Sequence, residues 1–330
     1  MSGSGGGGRI GTMFLCAHPA GELPAFARRA EAAGLDEIWV VEDCFYSGGI
    51  AAAAAALAAT TRITVGLGIS PAVARNAAFT AMEFGTLASL YPGRFSGGLG
   101  HGMPAWMAQV GAAVASPLTA LEESLTAVRS LLRGDTVTSA GRYTALDQVA
   151  LAAPPRQVPP VYAGVRGPRS LELAGRAADG TILAEPVSTE YLRHARAHIA
   201  RGAAAAGRDG HHAVVAYCLF AAAAYPAQAR AAAAAALTRS LVPGTEAQLT
   251  GLDFAADLTA RLGAAAGSGT PARIPDAWTS QLTVSGTPAD CAARIRALHQ
   301  AGADSVCLVP VGGDEQFFGS IAAVLTDARR

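Results

Sequence analysis

The stretch RITVGLGISPAVARNAAFTAMEFGTLASLYPGRFSGGLG, residues 62–100, carries the pattern from which the rest of the chain is read. Its ends, 62–69 and 93–100, are short apolar runs, and its middle, 76–91, has apolar residues at helical spacing. That is a strand–helix–strand unit. Strands that are apolar along their whole length and alternate with helices belong to a parallel sheet covered by helices.

The alternation extends in both directions. Toward the N-terminus, RIGTMFLC (9–16) precedes a helical pattern from Leu23 to Ala33, and DEIWVV (36–41) precedes GGIAAAAAALAAT (48–60). Toward the C-terminus the fourth strand leads to a helix from Pro117 to Leu132, with Ser116 as its expected N-cap. GRYTALDQV (141–149) reads as a β-hairpin. The rhythm then resumes with PPVYAGV (159–165), DGTILA (179–184), HAVVAYCLF (212–220) and DSVCLVP (304–310), each followed by a helical segment. Eight units in one chain predict a closed (β/α)8 TIM barrel rather than an open sheet. More than 80 residues separate the seventh strand from the eighth, too many for one crossover. A helical insertion at about 243–281, over the barrel mouth, is the expectation, with the glycine–serine stretch 263–270 as a mobile lid.

The chain has 330 residues, enough for two small domains and usual for one barrel with insertions. Residues 1–8, MSGSGGGG, read as a disordered tail rather than a signal peptide, and 9–330 as a single domain. Twenty-five basic residues balance 25 acidic ones without a block of like charge, so no nucleic-acid surface is expected, and the partner is a small molecule. The longest apolar stretch, 213–227, is too short for a membrane helix and contains Pro226. Five scattered cysteines without a Cys-x-x-Cys pair read as reduced thiols of a cytoplasmic protein.

In a parallel barrel the chemistry collects at the carboxyl ends of the strands. Those ends hold Cys16-Ala17-His18, Glu42-Asp43, Gly66 to Ser70, Gly98 to Gly102, Gly164 to Pro168 and Ala184-Glu185. Three glycine clusters on neighbouring strands beside an acidic pair suit a flat ligand lying close to the backbone. Arg166 and Gly167, directly before Pro168 at a helix start, would gather a guanidinium and backbone N–H groups on one spot, which suits a phosphate. Other motifs fail. A dinucleotide fingerprint needs glycine where Met103 stands, no Gly-x-Ser-x-Gly occurs, and His194 and His198 lack a third metal ligand and read as an exposed helix surface. No metal is expected.

The segments GLDEIWVVED, ITVGLGISPAVARNAAFTAMEFGTLASLYPGRFSGGLGHG, YAGVRGPRSLELAGRAADG and GTPADCAARIRALHQAGADSVCLVP together resemble the luciferase-like monooxygenase superfamily. The likeness is strongest to its branch using the deazaflavin coenzyme F420, similar to methylenetetrahydromethanopterin reductase. This resemblance spans about residues 9 to 328. It implies a non-proline cis peptide at Gly68-Ile69 backing a cofactor ring, with Gly98, Gly100 and Gly102 making room for that ring and its ribityl chain. It also implies that Gly164, Arg166, Gly167 and Pro168 hold the cofactor phosphate. Where relatives carry Asp-His at the second strand end, this chain has Glu42-Asp43, and Met103 replaces an acid found after strand four. His101 and Asp43, with Glu42, become the candidate catalytic residues. His18, Trp106 and Glu185 are candidate substrate contacts.

The function so implied is hydride transfer from reduced F420 to an electron-poor C=C or C=N bond, in a small molecule or a modified peptide with dehydroamino acids. The reverse oxidation is the same chemistry. A reduced-FMN monooxygenase is the second reading, and a non-catalytic flavin-binding barrel the third. By analogy with the family, a homodimer through the second and third helices is expected.

Overall fold

Each of the eight apolar runs forms a strand in the computed structural model, which describes residues 8–241, 244–268 and 272–330. The expected tail lies outside the described residues up to residue 7, as do residues 269 and 270 of the expected lid. The strands are β1 (Arg9–Phe14), β2 (Glu37–Val40), β3 (Thr64–Pro71), β4 (Phe95–Gly100), an antiparallel hairpin of β5 (Val137–Ala140) and β6 (Ala145–Val149), then β7 (Val161–Gly164), β8 (Gly180–Leu183), β9 (Ala213–Ala222), β10 (Val284–Gly286) and β11 (Ser305–Pro310). Neighbours run in the order β1-β2-β3-β4-β7-β8-β9-β11, and β11 pairs back to β1. All these pairs are parallel, so the sheet closes into a (β/α)8 barrel. β10, three residues long and not foreseen, extends the sheet on the upper part of β9.

The helices are α1 (Leu23–Ala32), α2 (Gly49–Ala59), α3 (Ala77–Leu90), α4 (Pro104–Gln109), α5 (Pro117–Leu132), α6 (Pro168–Ala177), α7 (Thr189–Ala205), α8 (Pro226–Ser240), α9 (Ala255–Ser268), α10 (Asp276–Leu282), α11 (Pro288–Gln300) and α12 (Asp314–Ala328). Their starts follow from local chemistry. Asn76 accepts the Ala78 N–H, Ser188 accepts that of Tyr191, and Thr287 with Asp290 closes a reciprocal capping box. Ser116 does not cap α5 as expected: its hydroxyl pairs with Thr119 Oγ1 at 2.8 Å, which leaves the helix start to Pro117.

Strand residues alternate between two cores. Ile38, Val40, Val65 and Leu67 face the helices and join Leu57, Phe84 and Ile321 in one buried cluster. Trp39, Tyr162, Ile182, Tyr217 and Cys307 fill the barrel interior. There the Trp39 ring packs edge-on against Tyr162 and Tyr217, with centroids 5.9 and 5.7 Å away. At the amino end of the barrel, Glu37 is 2% exposed and fully engaged: it accepts from Trp39 Nε1 (2.9 Å) and Ser305 Oγ (2.6 Å) and pairs with Arg9 (2.7 Å). A buried carboxylate is tolerated only with this much pairing.

Between β9 and β11 lie α8, a 3-10 turn (Glu246–Leu249), α9, α10, β10 and α11. Leu249, Leu252, Phe254, Leu258 and Ile274 of this segment share the apolar cluster of the barrel interior, so it packs on the barrel. Phe254 stacks on Trp278, their rings 4.9 Å apart and 6° from parallel.

Candidate active site at the barrel mouth

β3 breaks its register with β4 between Leu67 and Ser70, and the Gly68–Ile69 peptide inside that bulge is cis, as the resemblance implied. Gly68 and Ile69 are half-buried while their neighbours on both sides are buried, so the bulge opens to the mouth.

The glycines around it answer to protein neighbours. A Cβ on Gly66 would overlap the Trp39 ring, and one on Gly68 the Tyr217 hydroxyl. At Gly100 a Cβ would lie 2.9 Å from Ile69 Cδ1 and Cγ1, and at Gly164 it would lie 2.5 Å from Ile69 Cγ2. At Gly98 it would meet the Leu67 carbonyl oxygen, and at Gly97 the Phe84 ring. Within the protein, the bare strand-four glycines admit the Ile69 side chain and its strand and, at Gly97, the Phe84 ring. Gly102 is a turn residue, with φ of 72° and Met107 against it. Gly167 differs, since a Cβ there would meet nothing within 4 Å.

Glu42, expected to be catalytic, is bound on both oxygens. Arg75 takes it bidentately, with Nη2 2.9 Å from Oε2, and the Gly49 N–H at the start of α2 donates to Oε2 at 2.7 Å. It ties the β2 end to α2 and to the loop after the bulge. Arg75 was not foreseen, because it lies 33 residues from Glu42.

Asp43 points elsewhere, accepting from the Cys16 thiol at the β1 end (3.4 Å). Burial, with Asp43 beside it, pushes that thiol up to about 11, so it stays protonated and donates.

His101 has both ring nitrogens in use. Nδ1 lies 3.3 Å from the Pro117 carbonyl oxygen and Nε2 3.3 Å from Ser170 Oγ. A carbonyl only accepts, so Nδ1 carries the proton and Nε2 accepts from Ser170. Burial lowers the pKa of the ring, and Arg166 nearby adds to this, outweighing the Pro117 carbonyl that favours protonation. The histidine is a neutral strut between β4, α5 and α6, which does not suit it as a proton donor. His18 is half-buried on the rim, 5.5 Å from the Phe14 ring and 3.8 Å from Glu22, and Trp106 is half-buried on α4. His194 and His198 are half-buried rather than exposed, because His198 Nδ1 pairs with Glu172 of α6 at 2.9 Å.

Two charged groups at the mouth remain uncommitted. Among the described residues, neither the Glu185 carboxyl nor the Arg166 guanidinium has a hydrogen bond or ion pair to another residue's side chain. Arg166 leaves β7 at the start of α6, whose N-cap, Gly167, offers no side-chain acceptor. Its own carbonyl is held by the Tyr191 hydroxyl at 2.8 Å. Glu185 leaves β8, and its flanking peptide groups are pinned by Gln248, whose Nε2 donates to Ala184 O (2.6 Å) and Pro186 O (3.3 Å). Burial raises the Glu185 pKa against the hydrogen bond from its own backbone N–H, Asp43 adds to the rise, and Arg166 opposes it. Beneath the bulge the Tyr217 hydroxyl is buried, without a partner among the described residues. Neither Gln248 nor Tyr217 was singled out from the sequence, although Tyr217 has inward parity with Val215 and Leu219 in its strand.

Fold and rim define a (β/α)8 barrel with its convergent polar side chains at the carboxyl ends of the strands. The chain belongs to the luciferase-like monooxygenase family, whose model matches residues 3–305. It is 31% identical over 325 residues to a 5,10-methylenetetrahydromethanopterin reductase of Methanolobus tindarius, covering 93% of this chain and 96% of that one. An F420-dependent glucose-6-phosphate dehydrogenase of Mycobacterium avium is 35% identical over 176 residues, 49% of this chain and 52% of its own. Among solved structures, the coenzyme F420 dependent tetrahydromethanopterin reductase of Methanopyrus kandleri superposes with a TM-score of 0.79 at 22% identity, covering 96% of this chain and 98% of that one.

Proposed function

We propose that this chain is a coenzyme F420-dependent oxidoreductase that reduces an electron-poor C=C or C=N bond of a small molecule or of a modified peptide. The observation that carries the reading is its likeness, over almost its full length, to a reductase of methylenetetrahydromethanopterin. The mouth fits such a cofactor. The bulge at Gly68-Ile69 is open, the Tyr217 hydroxyl below it is an unused hydrogen-bonding group, and Arg166 with the uncapped start of α6 offers charge and N–H groups to a phosphodiester. When bound, the deazaflavin supplies a hydride from C5.

In this reading Ile69 backs the ring, while Gly164, Arg166, Gly167 and Pro168 hold the phosphate. Gly98, Gly100 and Gly102 shape the seat through the side chains they admit. His101 orients α5 and α6 around the site, Asp43 with Cys16 lines it, and His18 and Trp106 reach the substrate from the rim. Residues 9–330 act as one domain, and the described part of the insertion, 244–268 and 272–281, covers the mouth and excludes water. The protein works in the cytoplasm as a homodimer through α2 and α3, the latter carrying exposed Phe79, Met82 and Leu90. Anaerobic titration with F420 and with FMN, followed by cofactor fluorescence, tests the cofactor. Preference for FMN would instead favour the monooxygenase reading.

A further inference from the structure

Reduction of a C=C or C=N bond needs a proton as well as a hydride, and five side chains at the mouth could handle one. Glu42 is locked to Arg75 and the α2 start. Asp43 accepts from Cys16, and that thiol is spent in the same hydrogen bond. His101 is neutral with both nitrogens engaged. Of these five, Glu185 has no bond to another residue's side chain among the described residues, and the Tyr217 hydroxyl, the other group without a partner there, is buried beneath the bulge, where burial holds its pKa well above the ordinary value.

We propose that Glu185 is the proton carrier of this reduction and delivers its proton to the substrate, an inference that rests on the F420-dependent reading above. Its place supports this. It lies two residues beyond the end of β8, at the carboxyl end of the barrel, and Gln248 fixes the peptide groups on both sides while Arg294 donates to Val187 O at 3.4 Å just beyond. A carboxyl on so constrained a backbone is pre-positioned. Asp43 from the β2 end acts on it as a like charge, Arg166 from the β7 end is the opposing cation, and Tyr217, Cys218 and Cys307 of β9 and β11, whose own pKa values burial raises, stay neutral within its electrostatic reach. Burial and the neighbouring carboxylate favour its neutral form.

The step balances. One substrate atom of the double bond gains a hydrogen and an electron pair from the C5–H bond of the reduced deazaflavin, which is oxidised by two electrons. The π pair moves to the other atom, which takes the proton as the Glu185 O–H bond breaks. The carboxylate left behind regains a proton from solvent through the mouth, which its partial exposure allows. Arg166, the cation facing Glu185, stabilises the carboxylate in that interval.

The test compares wild type with Glu185→Gln, which keeps size and shape, and with Glu185→Asp. Infrared difference spectra of the cofactor-free proteins at neutral pH should show a protonated carboxyl stretch in wild type that Glu185→Gln lacks. F420 affinity should change less than two-fold. Turnover of N-acetyldehydroalanine methyl ester with reduced F420 should fall by about 10²–10⁴-fold in Glu185→Gln and recover in part in Glu185→Asp. A carboxylate band in place of the acid band overturns the inference, as does unchanged turnover in Glu185→Gln. Failure of wild type to bind F420 in the parallel titration overturns the cofactor reading itself, and the inference with it.

Discussion

Gly164→Ala tests whether Ile69 is what keeps the neighbouring strands free of side chains. A Cβ at 164 would stand 2.5 Å from Ile69 Cγ2, with Ile69 Cβ and Cγ1 next at 3.5 Å, so its nearest neighbours all belong to one side chain. Overpacking of this kind costs about 1–3 kcal/mol. Alanine also narrows the unfolded ensemble, which offsets roughly 0.4–1 kcal/mol. The expected net loss is about 1–2 kcal/mol. Ile69→Ala removes a half-buried side chain, so about half of the 2–5 kcal/mol seen for fully buried residues should be lost. In the double variant the clash has no source. The two losses should then fall short of additivity by about 1–2 kcal/mol, within the range for residues in contact. Gly97→Ala serves as the control, because the three atoms nearest its Cβ all belong to the Phe84 ring, which Ile69→Ala leaves untouched. Urea unfolding with an unchanged slope reads each value. Additivity of Gly164→Ala and Ile69→Ala within about 0.5 kcal/mol refutes the reasoning.

Tyr217→Phe deletes a buried hydroxyl with no partner and should stabilise the cofactor-free protein by about 1 kcal/mol in the same unfolding assay; a loss of that size would show that the hydroxyl is satisfied. His212 is held down to about 4, chiefly by burial, from its ordinary value of 6.5, while its Nε2 pairs with Thr181 Oγ1 at 2.8 Å. The unfolded chain therefore takes up this proton first, so stability present above about pH 6.5 drains away toward pH 4, by up to roughly 3 kcal/mol. His212→Gln should flatten that part of the stability–pH profile, and an unaltered slope contradicts the assignment. Phe79→Glu with Met82→Glu places charges on the exposed apolar face of α3 and should shift the mass measured by light scattering from dimer to monomer. A monomeric wild type would remove the dimer from the account.

The barrel was legible because strand and helix periods differ, and the eight apolar runs kept their period through the alanine-rich stretches. β10 was not, because three residues are too few to show a period. At the site, sequence position found the strand ends but not their partners. The rim glycines read as space for a ligand, and the sequence does not show that Ile69, Trp39 and Tyr217 also need that space, because they reach it through the bulge and across the barrel interior. Glu42 read as a free acid beside Asp43 because Arg75 comes from the next βα loop. His101 read as a proton donor because its partners, Pro117 and Ser170, lie 16 and 69 residues away. Arg166 and Glu185 stand just beyond β7 and β8, and the sequence could not tell that, among the described residues, neither bonds another residue's side chain.

The central claim is that the mouth binds the deazaflavin. The direct measurement is an anaerobic titration of the purified protein with F420 and, separately, with FMN, repeated with Arg166→Ala. The account expects saturable F420 binding, FMN weaker by at least about ten-fold, a difference of roughly 1.4 kcal/mol, and F420 affinity reduced in Arg166→Ala. FMN binding as tightly as F420 or tighter, or an Arg166→Ala variant that binds F420 like wild type, would contradict it.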